Sequence, residues 1–193
     1  RHLEANPDDL NIGWIISDAF LARLGQGETE AVARYQEVMK VKMITGKGYF
    51  FFPDRANRKL PEPYKKFHKK VVASNLCSEI ILPSDENHTF TCVLSSMNLA
   101  KWDEWKDTNA VKIATVFLDC VASEFIAKAK DISGLEKAVR FTEKARAIGI
   151  GACGFHTYLQ QNSTPWESFD AHLWNLDVFN KIKIDSDEMT RTL

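Results

Sequence analysis

Cys77 stands between an amide and a carboxylate in Ser74-Asn75-Leu76-Cys77-Ser78-Glu79-Ile80. As an extended segment, these residues would place Asn75, Cys77 and Glu79 on one side, because side chains at i, i+2 and i+4 share a face. Leu76, Ile80 and Leu82 could then bury the other side, with Ser78 interrupting the pattern. Fifteen residues further on, Cys92 lies in Thr89–Ser96, a β-branched and aromatic run that predicts a strand. Several chemistries could use these types. A nucleophilic thiol needs a base such as histidine placed against it, and no motif supplies one. Cys77, His88 and Cys92 are soft metal ligands, but the close C-x-x-C or H-x-x-x-H pairing of a zinc site is missing. Disulfide exchange between Cys77 and Cys92 lacks the C-x-x-C signature as well. A small buried hydrophobe is the ordinary fate of a cysteine in such surroundings, so the residues alone leave the role open.

The elements that would hold this segment can be read from periodicity and punctuation. Asn6–Asn11 is expected to be a loop, and Ser17-Asp18 to cap a short helix through Leu24. From Glu28 to about Ile44, Ala31, Val32, Tyr35, Val38, Met39 and Lys42 recur at helical spacing, with Gly46 suited to the C-terminal cap. Gly48-Tyr-Phe-Phe-Phe-Pro53 predicts a short buried strand. The basic run Asp54–Lys70, broken by Pro61 and Pro63, is expected to be a solvated loop rather than a phosphate site. Asn98–Trp105 predicts a short helix or turn. A long helix follows over Thr108–Lys130, with Val111, Ala114, Leu118, Val121, Phe125 and Ala129 as its apolar stripe. Another covers Leu135–Ala147. Gly149-Ile-Gly-Ala-Cys-Gly154 spells G-x-G-x-x-G, but a dinucleotide fingerprint needs a strand before it, and a charged helix precedes this one. These glycines are therefore expected at a tight, closely packed turn. Phe155–Gln160 restarts a helix, and Pro165-Trp166-Glu167 suits the first turn of one running toward Phe179.

The chain has 193 residues, 45% hydrophobic and 26% charged, with a net charge of −1. This suits one soluble globular domain with a real core. No basic excess points to nucleic acid, and no apolar run approaches a membrane span. Arg1-His2-Leu3-Glu4 is neither a signal peptide nor an initiator methionine, which suggests a piece of something longer. The four cysteines, Cys77, Cys92, Cys120 and Cys153, form no close pairs, so a reducing cytoplasm is expected. Cys120 and Cys153 are expected to be buried.

Ser74–Ile80, followed by Phe90-Thr91-Cys92-Val93-Leu94-Ser95-Ser96-Met97-Asn98-Leu99, resembles the catalytic finger loop and following strand of the ribonucleotide reductase large subunit. Gly149–Phe155, after its basic helix, resembles that family's next block, and the likeness covers most of 10–162. It implies an α/β fold, part of a ten-stranded α/β barrel occupying 1–193, with a central finger loop at about 73–83. It implies part of a ribonucleoside-diphosphate reductase that converts ribonucleotides to deoxyribonucleotides by thiyl-radical chemistry. Cys77 would remove the 3′ hydrogen of the ribose, Glu79 would take the proton of the 3′ hydroxyl, and Ser74, Asn75 and Glu79 would bind the substrate. Cys92 would be one half of the dithiol that expels the 2′ hydroxyl and ends as a disulfide. The partner thiol of Cys92 belongs to an earlier strand in that family, and no cysteine precedes Cys77 here. The chain by itself is thus expected to be inactive, completed by the remaining large-subunit segments. No cofactor would be bound by the chain directly; a metal-containing small subunit would supply the radical, and thioredoxin or glutaredoxin the reducing equivalents. The other reading is a non-catalytic fragment of a split or truncated reductase that acts only by assembling with complementary chains.

Overall fold

The computed structural model describes residues 12–67 and 69–193, and the loop expected at Asn6–Asn11 lies outside them. The chain divides between Phe90 and Thr91 into two compact units.

In the first unit, β1 (Gly13–Ile15) pairs in parallel with β2 (Tyr49–Phe51), with Gly13 opposite Tyr49 and Ile15 opposite Phe51. Parallel neighbours need a crossover, here made by two helices. The first, α1 (Asp18–Gly25), starts where the Ser17 hydroxyl accepts the Phe20 N–H at 3.1 Å. The second, α2 (Thr29–Thr45), ends at Gly46 in the left-handed conformation, as its sequence predicts. Gly48 then turns the chain into β2 at φ +82°, and a Cβ there would come within 2.1 Å of the Trp14 ring. Only glycine combines that dihedral with that approach. The strand delivers Phe51 to a small core with Leu60 and Val71, packed by Tyr49, Ala56 and Tyr64.

The basic run does not stay a loop. Pro53 opens α3 (Pro53–Arg58), and α4 (Glu62–Lys66) follows Pro61 with Pro63 in its first turn. Proline at a helix start has the right φ and gives up only an N–H that would be unbonded anyway, so residues that look like breakers act as initiators. The cations face outward as expected; Arg58 pairs with Asp18, and Lys65 with Glu62 at 2.9 Å.

In the second unit, β3 (Leu94–Asn98) pairs in parallel with β4 (Gly149–Cys153), from Leu94 opposite Gly149 to Asn98 opposite Cys153. The crossover runs through a 3-10 turn (Leu99–Lys101), α5 (Trp102–Trp105), α6 (Ala110–Ala129) and α7 (Glu136–Ala145). After β4 come α8 (Phe155–Gln161) and α9 (Phe169–Thr190). Leu99, Trp102, Trp105, Val111, Tyr158, Val178 and Ile182 form the core, and Met97, Ile150 and Ala152 pack on it from the sheet. Trp102 and Trp105 meet edge to face at 4.7 Å, and the Trp105 indole N–H donates to the Asn98 carbonyl at 2.9 Å. The end of β3 is thereby tied to the core.

Four expectations are corrected here. The strand starts at Leu94 rather than Thr89, so Cys92 precedes it. The Gly149 segment is a strand and not a tight turn, because β3 supplies a parallel partner that the sequence does not announce. The last helix begins at Phe169, where the Ser168 hydroxyl accepts the Ala171 N–H at 3.1 Å, and not at Pro165. Finally, Cys120 and Cys153 are exposed, not buried. The buried stripe of α6 is Val111, Thr115, Leu118, Ala122 and Ala129, which turns Cys120 and Val121 outward. Among the described residues no helix is long and apolar enough to cross a membrane.

Candidate active site

The segment carrying Cys77 is anchored at its root. Asn57 on α3 brackets Val71, accepting its N–H at 2.9 Å and donating to its carbonyl at 2.8 Å, while the same amide donates to the Pro53 carbonyl at 2.7 Å. The Ser84 N–H donates to the Lys70 carbonyl at 3.3 Å, which closes the stretch into a loop with adjacent ends. Just beyond Ser84, Asp85 accepts from Lys69 at 2.7 Å, from the Asn87 N–H at 2.9 Å and from the His88 Nδ1 at 2.7 Å. These donors, Lys69 first, hold the Asp85 carboxyl well below the usual carboxylate range. Among the described residues the His88 Nε2 is buried with no hydrogen-bond partner. From β2, the Tyr49 hydroxyl reaches the Ser74 carbonyl at 3.4 Å.

The tip is a turn, not an extended strand. The Asn75 carbonyl accepts the Ser78 N–H at 3.1 Å, and Ser78 has φ +62°, a left-handed value uncommon outside glycine and asparagine. The turn places Cys77 at its apex, exposed, with Asn75 and Glu79 on the two segments leading in and out. Those two meet directly: the Asn75 amide donates to Glu79 Oε1 at 2.8 Å. The Asn75 side-chain carbonyl accepts the Ile80 N–H at 3.0 Å, and the Ser74 hydroxyl donates to the Ile80 carbonyl at 2.7 Å. Alternation therefore gives way to closure. Asn75 and Glu79 come together across the turn while Cys77 projects beyond them.

The arrangement has chemical content. Asn75 commits its carbonyl and one N–H to the turn, which leaves the second amide N–H for a ligand oxygen. Glu79 receives Asn75 on one oxygen, leaving the other to accept a proton. Ser74 is used inside the turn, so the structure gives it a positioning contact.

Cys92 belongs to the second unit. The residue before it is fixed to α7, where Thr91 Oγ1 and Thr142 Oγ1 lie 2.9 Å apart. The residue after it is fixed to β4, where the Gly149 N–H donates to the Val93 carbonyl at 2.9 Å. An exposed thiol is thus held at the entry to β3 between two clamps. Asn57, Tyr49 and Thr142 are positioning residues that the sequence reading passes over. Their partners lie 14 to 51 residues away, and no local pattern marks them. Among the described residues no three His, Cys, Asp or Glu side chains gather in a way that could hold a metal ion.

The family model for the ribonucleotide reductase barrel domain matches residues 23–190. A ribonucleoside-diphosphate reductase large subunit of Invertebrate iridescent virus 3 is 38% identical over 88% of this chain and 26% of its own length. A putative large subunit of Frog virus 3 is 33% identical over 98% of this chain and 37% of its own. The solved alpha subunit of the Actinobacillus ureae class Id ribonucleotide reductase superposes with a TM-score of 0.85 at 41% identity, covering 97% of this chain and 36% of that one. The chain thus spans well under half the length of these relatives, and its α/β fold corresponds to part of their barrel. With residues 23–190 matched, the chain belongs to the ribonucleotide reductase barrel-domain family.

Proposed function

We propose that this chain is part of the catalytic subunit of a ribonucleoside-diphosphate reductase, with residues 1–193 forming one partial barrel domain. The observation that carries the reading is the turn itself, with Cys77 at the apex and the hydrogen-bonded pair Asn75 and Glu79 at its base. Sulfur is the side-chain atom suited to a radical that takes a hydrogen atom from a ribose carbon, and an exposed apex lets a substrate reach it. Cys77 removes the 3′ hydrogen. Glu79 accepts the 3′ hydroxyl proton, and the remaining Asn75 N–H holds a ribose oxygen. Cys92 supplies one of two thiols that together deliver two protons and two electrons: one proton leaves with the 2′ hydroxyl as water, a hydrogen takes its place on the 2′ carbon, and the pair ends as a disulfide.

The relatives' names support the diphosphate substrate and the large-subunit setting. By the family resemblance the second thiol belongs to an earlier strand, and no cysteine precedes Cys77 here, so turnover is proposed to require the remaining large-subunit segments. The radical comes from a metal-containing small subunit, with this chain binding no cofactor itself. Thioredoxin or glutaredoxin restores the dithiol, and the setting is cytoplasmic. In the assembled reductase, Cys77→Ser is expected to abolish deoxynucleotide formation with Tm unchanged, because the apex side chain is exposed. Near-normal product formation would refute the reading.

A further inference from the structure

Gly13 stands in a strand whose backbone gives no reason for glycine. Its φ is not positive, and the β1–β2 ladder runs without a bulge from Gly13 opposite Tyr49 to Ile15 opposite Phe51. A glycine inside a regular strand weakens it and marks a place where another group comes close. Here that group is the Tyr49 phenol: a Cβ added at Gly13 would stand 2.5 Å from its Cζ and 2.8 Å from its hydroxyl oxygen. The ring lies across bare backbone. Its base is fixed as well, since the Tyr49 N–H donates to the Ile12 carbonyl at 3.1 Å and the side chain packs on the core of Phe51, Leu60 and Val71. From there the hydroxyl donates to the Ser74 carbonyl at 3.4 Å, one residue before Asn75. The hydrogen bonds that shape the finger tip, joining Asn75 to Glu79, Ile80 and Ser78, run within 75–80. They set the form of the turn and leave its place over the sheet to contacts from outside.

We propose that Gly13 and Tyr49 are positioning residues, a strut in which the missing side chain of one lets the phenol of the other hold the finger where Cys77 works. This rests on the reductase reading and deepens it. Gly13 acts only through Tyr49. A methyl group there would meet the far end of a side chain that can rotate, so the strand survives and the hydroxyl leaves Ser74.

The test is a double-mutant cycle in the assembled reductase, reading kcat, KM and Tm, with hydrogen exchange of the same samples. At 3.4 Å the hydrogen bond is long, so Tyr49→Phe is expected to lower kcat roughly threefold, the low end for a neutral hydrogen bond, with KM and Tm little changed. Gly13→Ala should lower kcat at least as much in the wild type and add little once Tyr49 is Phe. Phenylalanine keeps the ring that a methyl group would strike and lacks only the hydroxyl, so a merely structural role for Gly13 would cost the same in both backgrounds. Residues 74–80 should exchange faster in each single variant, with 12–16 and 49–51 unchanged. An unmoved kcat, equal costs of Gly13→Ala in the two backgrounds, or faster exchange in 12–16 instead of 74–80 would overturn the strut while leaving the reductase reading intact. A wild-type assembly that turns over no ribonucleotide would remove the reductase reading, and the exchange pattern would then decide the strut by itself.

Discussion

Asn75 makes the most compact argument in the molecule. A single side chain joins Glu79, the Ile80 backbone and the turn that raises Cys77. Asn75→Ala therefore removes the proposed ligand donor and loosens the turn together. In the assembled reductase kcat/KM is expected to fall by at least about a hundredfold, combining two lost hydrogen bonds, one of them to a charged group. Asn75→Asp would set two carboxylates against each other and should be at least as damaging at neutral pH, recovering partly as the pH falls and one of them protonates. A pH-independent deficit would contradict the electrostatic account. Asp85 gives a second pH prediction. Its carboxyl is held low by Lys69, His88 and the Asn87 N–H, so its contribution to closing the loop is complete above the ordinary carboxylate value of ~4. That contribution is lost only as the pH falls through the depressed folded value. Hydrogen exchange of residues 71–84 should stay protected well into acid in the wild type. Asp85→Asn should already exchange faster at pH 7.

Elements differ in how openly the sequence announces them. The helices α1 and α2 were legible because their caps are local: Ser17 at one start, Gly46 at one end. The finger tip was legible as to membership but not shape. Alternation placed Asn75, Cys77 and Glu79 on one face, whereas hydrogen bonds between residues three to five apart close them into a turn. The strand β4 was hidden for another reason. Its glycines have poor β propensity, and only pairing with β3, 55 residues earlier, makes them a strand. Cys120 and Cys153 sit in apolar and glycine-rich surroundings in the sequence, but the helical stripe of α6 and the sheet face of β4 each point them away from the core. Two substitutions test the elements that position the site. Gly48→Ala should destabilise by at least ~1–2 kcal/mol from the left-handed backbone alone, with the Trp14 overlap in addition. Leu99→Ala, at a residue 1% exposed where β3 enters the core, should cost about 2–5 kcal/mol. Both are read by denaturant midpoint.

At the scale of the whole chain, two units each contribute one thiol with a proposed part in a single reaction: Cys77 on the finger turn of the first, Cys92 at the entry to β3 in the second. Their proposed roles are separable, since removing a hydrogen atom precedes and does not require the reduction that follows. The most direct test uses the assembled reductase with a ribonucleotide tritiated at the 3′ carbon, comparing wild type, Cys77→Ser and Cys92→Ser. The account predicts that Cys77→Ser leaves the 3′ label untouched and forms no product. Cys92→Ser should still disturb the 3′ label while failing to make deoxynucleotide. Processing of the 3′ label by Cys77→Ser at the wild-type rate would contradict the assignment of Cys77 as the hydrogen-abstracting residue.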